Sequence, residues 1–523
     1  MKMRRTGNWL LAAAVLLAVA ALVIALSQRG ADADVPDTIG YVQAAHQLAR
    51  GEGLAFKDPH NQVDRRYYML NAFKVVRSDE PNRYFGLLPG VSVLAAAAER
   101  LTGAPDMVQV LPPISAALLI LITFAFGTTL ADAWAGLWAS LILFCAPTFL
   151  RFSAALWSEI PSAVCLYLGL VLVVLAFKRA RDDGLARVLG FGGGLIAGAA
   201  FFMRFSNVTV IPAMLGLIGV MGGRAAYWQR RSWLVIGALG IAFLALLGFN
   251  ALYYGSPLDT GYSPRHGWYV QPAFSLSYAF GRSFVNGYSM PQMGQEILNA
   301  LGAGLALSLV GVFVKPRRVG WWLAGTSLLL LLPYMFYAFA PEGVNARFVI
   351  PALPALSVLA GRGVVAIGRS LPSLRVRCFL GLLLTVILLG RVPQSVATLQ
   401  AVQASSLAAI EHVVRLIQPT EPDAVILSYA YNDSIAVYAH RSALTYRHMA
   451  PYDEPTGKYQ YDQIAPLLVA EINRLLDEGT PVYYVLDGNP PLYKSDQLLQ
   501  RYFDLMPVSN DSSLFRVSRR WSE

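Results

Sequence analysis

Residues 87–101 read Leu87-Leu-Pro-Gly-Val-Ser-Val-Leu-Ala-Ala-Ala-Ala-Glu-Arg-Leu101, an apolar stretch that opens on Pro89-Gly90 and closes on Glu99-Arg100. A helix needs about 20 apolar residues to cross a bilayer, so this run is short. Whether it crosses decides the side of everything after it. Ten further apolar runs follow, at Met107–Leu130, Trp134–Leu150, Ile160–Phe177, Val188–Met203, Val208–Gly222, Trp233–Tyr254, Ile297–Val314, Trp321–Ala340, Phe348–Ile367 and Cys378–Val396. Between them stand four basic clusters, Lys178/Arg179/Arg181/Arg187, Arg224/Arg230/Arg231, Lys315/Arg317/Arg318 and Arg369/Arg375/Arg377. Short loops rich in Lys and Arg stay on the cytoplasmic side. All four clusters fall there only if 87–101 does not cross but lies along the membrane or dips into it.

Working outward, the run Trp9–Leu26 follows Lys2, Arg4 and Arg5 and is longer than an ordinary signal-peptide core. It reads as a signal anchor with its basic end inside, a cleaved signal peptide being the alternative. The expectation is therefore a polytopic α-helical membrane protein of about eleven transmembrane helices plus one juxtamembrane helix. Composition agrees: of 523 residues 55% are hydrophobic and 14% charged, against about 25% charged in soluble domains. This excludes a cytosolic enzyme, a disordered chain, and a nucleic-acid-binding domain resting on the net charge of +10. Cys145, Cys165 and Cys378 lie in apolar runs and form neither a disulfide framework nor a zinc spacing.

Charge also divides the chain. From Ala397 onward there are 10 Lys and Arg against 15 Asp and Glu, a net of −5, while the remainder carries 32 against 17, a net of +15. A basic membrane part of residues 1–396 joined to an acidic region of residues 397–523 is the expected organisation, with the acidic region outside. Residues 28–86 form a first external loop, 87–101 the juxtamembrane helix. Ala424–Ala430, Pro481–Asp487 and Ser513–Ser518 read as strands and Ile464–Asp477 as a helix, which together predict a small external α/β domain. The same topology puts nearly all elaborated loops, including Gly255–Glu296, on the outer face. The active surface is expected there.

Two acids stand out on that face. Asp37, in Val35-Pro-Asp-Thr-Ile-Gly-Tyr41, precedes a helix-like stretch to Arg50 and is either a reactive carboxylate or a helix N-cap. Glu159, in Leu156-Trp-Ser-Glu-Ile-Pro161, sits at the mouth of a crossing. Arg151, Arg204 and Arg347 stand alone at the outer face against the charge rule. Arginine at membrane depth is costly and is usually paired or functional; its planar fork suits phosphate, and snorkelling to headgroups is the alternative.

These stretches, taken in order, resemble the GT-C superfamily of integral-membrane glycosyltransferases that use polyprenyl-phosphate sugars. The likeness is to the bacterial branch related to protein O-mannosyltransferases and lipid A aminoarabinose transferases. It rests on Asp37 with Tyr41, Leu48 and Gly51 after the first helix, on Tyr84–Gly90, Leu156–Pro161 and Met203-Arg204, and on Asn250–Tyr262 and Arg347–Pro354. The resemblance implies an inverting sugar transfer to a glycan, lipid or protein acceptor, in the inner or plasma membrane, with Asp37 as general base. It also implies Glu159 as a second acid near the acceptor or sugar, Arg204 and Arg347 as donor-phosphate ligands, and Tyr262, Arg265 and His266 as possible acceptor-side residues. Many relatives carry two adjacent acids in the first motif, whereas Asp37 is followed by Thr38, so no essential metal and no cofactor are expected. The expected partners are the lipid-linked donor, the acceptor and membrane lipids, with no nucleic acid. A transporter or flippase of a lipid-linked sugar is the rival reading; it calls for ionisable residues near the middle of the crossings.

Overall fold

A computed structural model describes residues 2–57, 62–63, 66–67, 75–79, 82–178, 183–261, 275–280, 289–337, 345–428, 432–445, 452–453, 458–459, 465–486, 495–508 and 513–520. Contacts divide it into two compact units, one of residues 1–31, 101–248 and 273–402, the other of residues 32–100, 249–272 and 403–523.

The first unit is helical. It holds α1 (Lys2–Ser27) and, after α2 (Pro36–Arg50) and α3 (Gly90–Thr102) of the other unit, α4 (Leu111–Leu130), α5 (Ala133–Phe144), α6 (Pro147–Phe152), α7 (Glu159–Lys178), α8 (Asp183–Ala199) and α9 (Val210–Gly222). There follow α10 (Arg230–Tyr254), α11 (Leu276–Phe280), α12 (Ser289–Leu301), α13 (Ala303–Phe313), α14 (Arg317–Met335), α15 (Leu353–Ser370), α16 (Leu374–Leu389) and α17 (Val392–Ile417), of which the last residues of α10, from 249, and the part of α17 from 403 belong to the other unit. Among the described residues eight helices are long and apolar enough to cross a membrane, or nine if Met290–Leu301 and Ala303–Phe313, bent by 95°, count as one span.

The sequence reading counts eleven, and the difference has a local cause. Trp134–Leu150 is not one helix: it breaks after Phe144 and restarts at Pro147, so that run is made of α5 and α6 in succession rather than of one long helix. The run Trp321–Ala340 gives α14, which begins on Arg317-Arg318, contains Pro333 and stops at Met335.

Tight packing in this unit rests on glycine. A Cβ on Gly311 of α13 would lie 1.9 Å from the Leu359 carbonyl of α15, and one on Gly363 of α15 would lie 2.2 Å from the Leu307 carbonyl of α13. A Cβ on Gly361 would lie 2.3 Å from the Ala135 carbonyl of α5. Small residues let membrane helices approach this closely, where dispersion and close packing replace the hydrophobic effect. Beside them Arg362, only 2% exposed, donates to the carbonyls of Gly311, Val314 and Pro316, satisfying the open end of α13.

In the second unit, α2 and α3 pair. Ser92 Oγ donates to the Tyr41 carbonyl at 3.1 Å, and Arg100 donates to the carbonyls of Ala49 and Leu48 at 2.8 Å each. His46 Nδ1 lies 2.7 Å from Glu99 Oε2. Thirteen residues of α3 extend ~20 Å, too short to cross, as the loop charges require.

The same unit contains β1 (Ala55–Lys57), β2 (Val75–Asp79) and β3 (Asn82–Phe85), paired in the order β1-β3-β2. Its C-terminal part carries β4 (Val425–Ser428), α18 (Asn432–Val437), β5 (Ser442–Thr445), α19 (Ala465–Asp477), β6 (Val482–Val485), α20 (Ser495–Gln500), β7 (Phe503–Pro507) and β8 (Leu514–Arg519). The sheet order is β7-β8-β6-β4-β5, with β6-β4 and β4-β5 parallel. All residues of β4 and β6 are buried, as strands covered on both faces must be. On one side Leu468, Ile472 and Leu475 of α19 pack with Val425, Leu427, Val482 and Tyr484; on the other Val413, Ile417 and Ile435 pack with Ile426, Tyr483 and Val485. This is the small α/β region that alternation and branching predict.

Gly311→Val should destabilise the first unit by about 2–3 kcal/mol, because backbone rather than a flexible side chain meets the new atoms. Gly237→Val, on a helix face with nothing within 4 Å, should not. Thermal melting of the two purified variants in detergent checks this: equal melting temperatures would contradict the close approach.

Candidate functional site

Three of the sequence-predicted residues meet inside the first unit. Glu159 is the first residue of α7, after the extended stretch Trp157-Ser158, where a carboxylate also faces the positive end of the helix dipole. Its side chain is 0% exposed. Arg204 stands between two short 3₁₀ turns, Ala200–Phe202 and Phe205–Thr209, with extended backbone (φ −149°, ψ 124°). Arg347 comes from the 3₁₀ segment Asn345–Ala352, just before α15. Both arginines therefore sit at interruptions of helix, where a long side chain turns inward without competing for a helical ladder.

Arg204 Nη1 pairs with Glu159 Oε1, and Arg347 Nε lies 2.9 Å from the same oxygen. Arg204 also donates to Ser158 Oγ at 2.9 Å and through Nε to the Tyr334 hydroxyl at 2.8 Å. That hydroxyl lies 2.6 Å from Ser206 Oγ. Aromatic rings wall the cluster. The Arg347 guanidinium carbon is 3.7 Å from the centre of the Trp157 ring. That of Arg204 lies 5.4 Å and 5.3 Å from the rings of Tyr334 and Phe348, which stack on each other at 4.6 Å. Cation–π contacts of this kind strengthen as water is excluded. The two arginine side chains are only 13% and 12% exposed, and both meet the one Glu159 carboxylate. Glu159 Oε2 has no hydrogen-bond donor among the described residues.

Such a site attracts an anion and can neutralise charge that develops on a leaving oxygen. Glu159, expected as a second acid at the mouth of a crossing, has no exposed surface and serves both arginines as a counter-ion. The aromatic and hydroxyl partners were not legible. Tyr334 and Phe348 read as ordinary residues of apolar runs, and only Trp157, adjacent to Ser158-Glu159, carried a local signal.

Asp37 belongs to the second unit. Its N-cap reading does not hold, because the capping position of α2 is Val35, with no side-chain cap, and Pro36 takes the first helical position. Asp37 lies one residue further in, half-buried in the first turn. The segment before it is held firmly. Asp32 is 4% exposed and left-handed (φ 55°), a costly state for a residue with a side chain. The Val35 amide donates to the Asp32 carbonyl at 3.0 Å, and the Tyr438 hydroxyl, from just past α18, donates to the Ala33 carbonyl at 2.8 Å. Burial pushes the Tyr438 hydroxyl pKa up, helped by the negative charge of Asp34, so it stays a donor. Ile39 and Ala44 of α2 pack with Ala436, Val437 and Tyr438. Tyr262, Arg265 and His266 lie outside the described residues. Among the described residues no three His, Cys, Asp or Glu side chains gather to hold a metal.

No known protein family and no curated protein matches the sequence. Solved structures do match. The chain is similar to ArnT from Cupriavidus metallidurans bound to undecaprenyl phosphate, with a TM-score of 0.63 and 14% identity over 97% of this chain and 98% of that one. It is also similar to the archaeal oligosaccharyltransferase AglB from Archaeoglobus fulgidus, solved with an inhibitory peptide and a dolichol-phosphate, at a TM-score of 0.54 and 12% identity over 98% of this chain and 74% of that one. At such identity the likeness shows the fold: a multi-pass, GT-C-like membrane fold over nearly the whole chain.

Replacing Glu159 with Gln should destabilise the protein by about 3 kcal/mol or more, since it removes a buried charge that two guanidiniums share. Thermal melting of Glu159→Gln against wild type checks this, and an unchanged melting temperature would show that the arginines reach solvent.

Proposed function

We propose that this chain is an inverting glycosyltransferase that moves a sugar from a polyprenyl-phosphate donor to an acceptor on the outer face of a cell membrane. The observation that carries the reading is the convergence of Arg204 and Arg347 on the buried Glu159 within aromatic walls, in a fold shared with a protein solved bound to undecaprenyl phosphate. A lipid phosphate is an anion delivered within the membrane, and paired guanidiniums match its oxygens bidentately.

In the proposed reaction an acceptor oxygen attacks the sugar C1 while Asp37 takes its proton. The bond from C1 to the phosphate oxygen breaks, that oxygen keeps the electron pair, and the configuration at C1 inverts. Arg204 and Arg347 stabilise the phosphate as its charge grows. Glu159 keeps the two guanidiniums from repelling each other when the site is empty. The bilayer confines the donor to two dimensions, which supplies part of the orientation. The outer-face assignment rests on the basic loops, which favour the cytoplasm, and the same rule leaves the N-terminus inside and residues 397–523 outside.

Arg204→Ala should weaken donor affinity by roughly tenfold or more, and Arg204→Lys should fall between it and wild type, because lysine keeps charge and loses the fork. Binding of undecaprenyl phosphate measures this; equal affinity in all three would return Arg204 to a structural role. Asp37→Asn keeps size and hydrogen bonding yet cannot accept a proton, so transfer should fall by about 10²-fold or more with donor affinity intact. Near-normal turnover by this variant would move the base elsewhere. Movement of a labelled lipid-linked sugar across vesicles without any glycoside formed would support the transporter instead.

A further inference from the structure

The segment that carries Asp37 is fastened from the C-terminal part of its own unit, and the need for a fastening begins in the sequence. Pro36 keeps the residue before it out of the helical region: Val35 is extended (φ −75°, ψ 131°), so α2 cannot start earlier. A helix begun one turn sooner would give the Ala33 carbonyl the Asp37 amide as its donor. Among the described residues no backbone amide reaches that carbonyl. Ala33 is 5% exposed, which makes water a poor substitute, and a buried carbonyl without a donor is costly. The Tyr438 hydroxyl supplies the donor at 2.8 Å, from 405 residues along the chain.

The donor is itself braced. The Tyr438 amide donates to the Ser434 carbonyl at 2.9 Å. Two residues on, His440 is left-handed (φ 52°). Arg441 then donates through Nε to Thr420 Oγ1 at 3.2 Å and through Nη2 to the Thr420 carbonyl at 2.9 Å. Ile435 of α18 is fully buried and packs with Ile426 of β4 and Val485 of β6. Toward α2, Ala436, Val437 and Tyr438 pack on Ile39 and Ala44. Asp37 therefore lies between two points, the Ala33 carbonyl and the Ile39 side chain, that one turn of the C-terminal region holds. A supporting side chain places a reacting group well only when its own conformation is locked.

We propose that Tyr438 is a positioning residue for the transfer reaction: its hydroxyl fixes the turn at Ala33 and, through it, the place of the Asp37 carboxylate. The inference rests on the reading of Asp37 as the base. Without the hydroxyl, the Ala33 carbonyl regains a partner only by moving toward water, and Asp37 moves with it. A displacement of about 1 Å can cost about 10²-fold in rate. Donor binding, assigned to Arg204 and Arg347, has no reason to change.

The experiment uses the full chain in nanodiscs and compares wild type with Tyr438→Phe, Tyr483→Phe, Asp37→Asn and the double variant of Tyr438→Phe with Asp37→Asn. Tyr438→Phe keeps the ring that packs on α2 and loses only the hydroxyl. Tyr483→Phe is the control, because its hydroxyl, also in the C-terminal region, donates to Glu421 Oε2 at 2.6 Å instead. Hydrogen exchange of the backbone amides over residues 32–39 reads the fastening without any substrate. Release of undecaprenyl phosphate from undecaprenyl-phosphate-linked mannose, glucose and 4-amino-4-deoxyarabinose, with water as acceptor, reads the reaction. Tyr438→Phe should speed that exchange and lower kcat by roughly tenfold or more, at unchanged affinity for undecaprenyl phosphate. Tyr483→Phe should do neither. In the Asp37→Asn background, loss of the Tyr438 hydroxyl should cost nothing further, since residues that act as a unit are not additive. Equal rate losses in the two tyrosine variants overturn the inference by assigning Tyr438 to stability alone. A Tyr438→Phe effect that multiplies that of Asp37→Asn overturns it too, as does wild-type exchange over residues 32–39 in Tyr438→Phe. Failure of the underlying reading looks different: Asp37→Asn then releases undecaprenyl phosphate at the wild-type rate, and the inference falls with it even where the exchange responds to Tyr438→Phe.

Discussion

A carboxylate with no exposed surface, held between two guanidiniums, is the constraint on which the membrane part of this protein depends. Burying any one of these charges alone would cost several kcal/mol; together, with Ser158, Tyr334 and three aromatic rings around them, they are tolerated. The constraint explains local features that the apolar background does not. Helix is interrupted at Met203-Arg204 and over Asn345–Ala352, because a helical backbone at those points would present the arginines to neighbouring helices rather than to Glu159. The stacked rings of Tyr334 and Phe348 both lie against the Arg204 guanidinium.

The second unit supplies support of a different kind. The turn before Asp37 stores strain at Asp32 and is over-determined by the Tyr438 hydroxyl and by the packing of Ile39 against Ala436 and Val437. Strained backbone persists where the surroundings hold it, and such places are frequently functional. The C-terminal sheet has no loop of the glycine-rich phosphate-binding kind in its sequence, yet through Tyr438 it acts directly on the segment that carries Asp37. That gives the C-terminal region a physical part in shaping the segment.

Much of this was legible in the sequence, for identifiable reasons. Charge in the loops demanded that 87–101 not cross, and α3 is indeed a thirteen-residue helix tied to α2. Arg204 and Arg347 were visible because arginine outside the basic loops is costly, and Glu159 because it interrupts an apolar stretch. Their meeting was not visible, since residues 159, 204 and 347 are brought together only by the packing of helices far apart in the chain. The break at Cys145–Pro147 was also missed. Hydropathy there is continuous, and a proline in an apolar run reads equally as a kink within a span or as the start of a new helix.

The central claim is that the arginine–glutamate cluster holds the phosphate of a membrane-borne lipid. The most direct measurement is native mass spectrometry of the purified protein loaded in parallel with undecaprenyl phosphate and with undecaprenol, which differ only by the phosphate. The account predicts that the phosphorylated lipid stays bound at collision energies that strip the alcohol, and that changing both Arg204 and Arg347 to alanine abolishes the difference. Equal retention of the two lipids by the wild-type protein would contradict it.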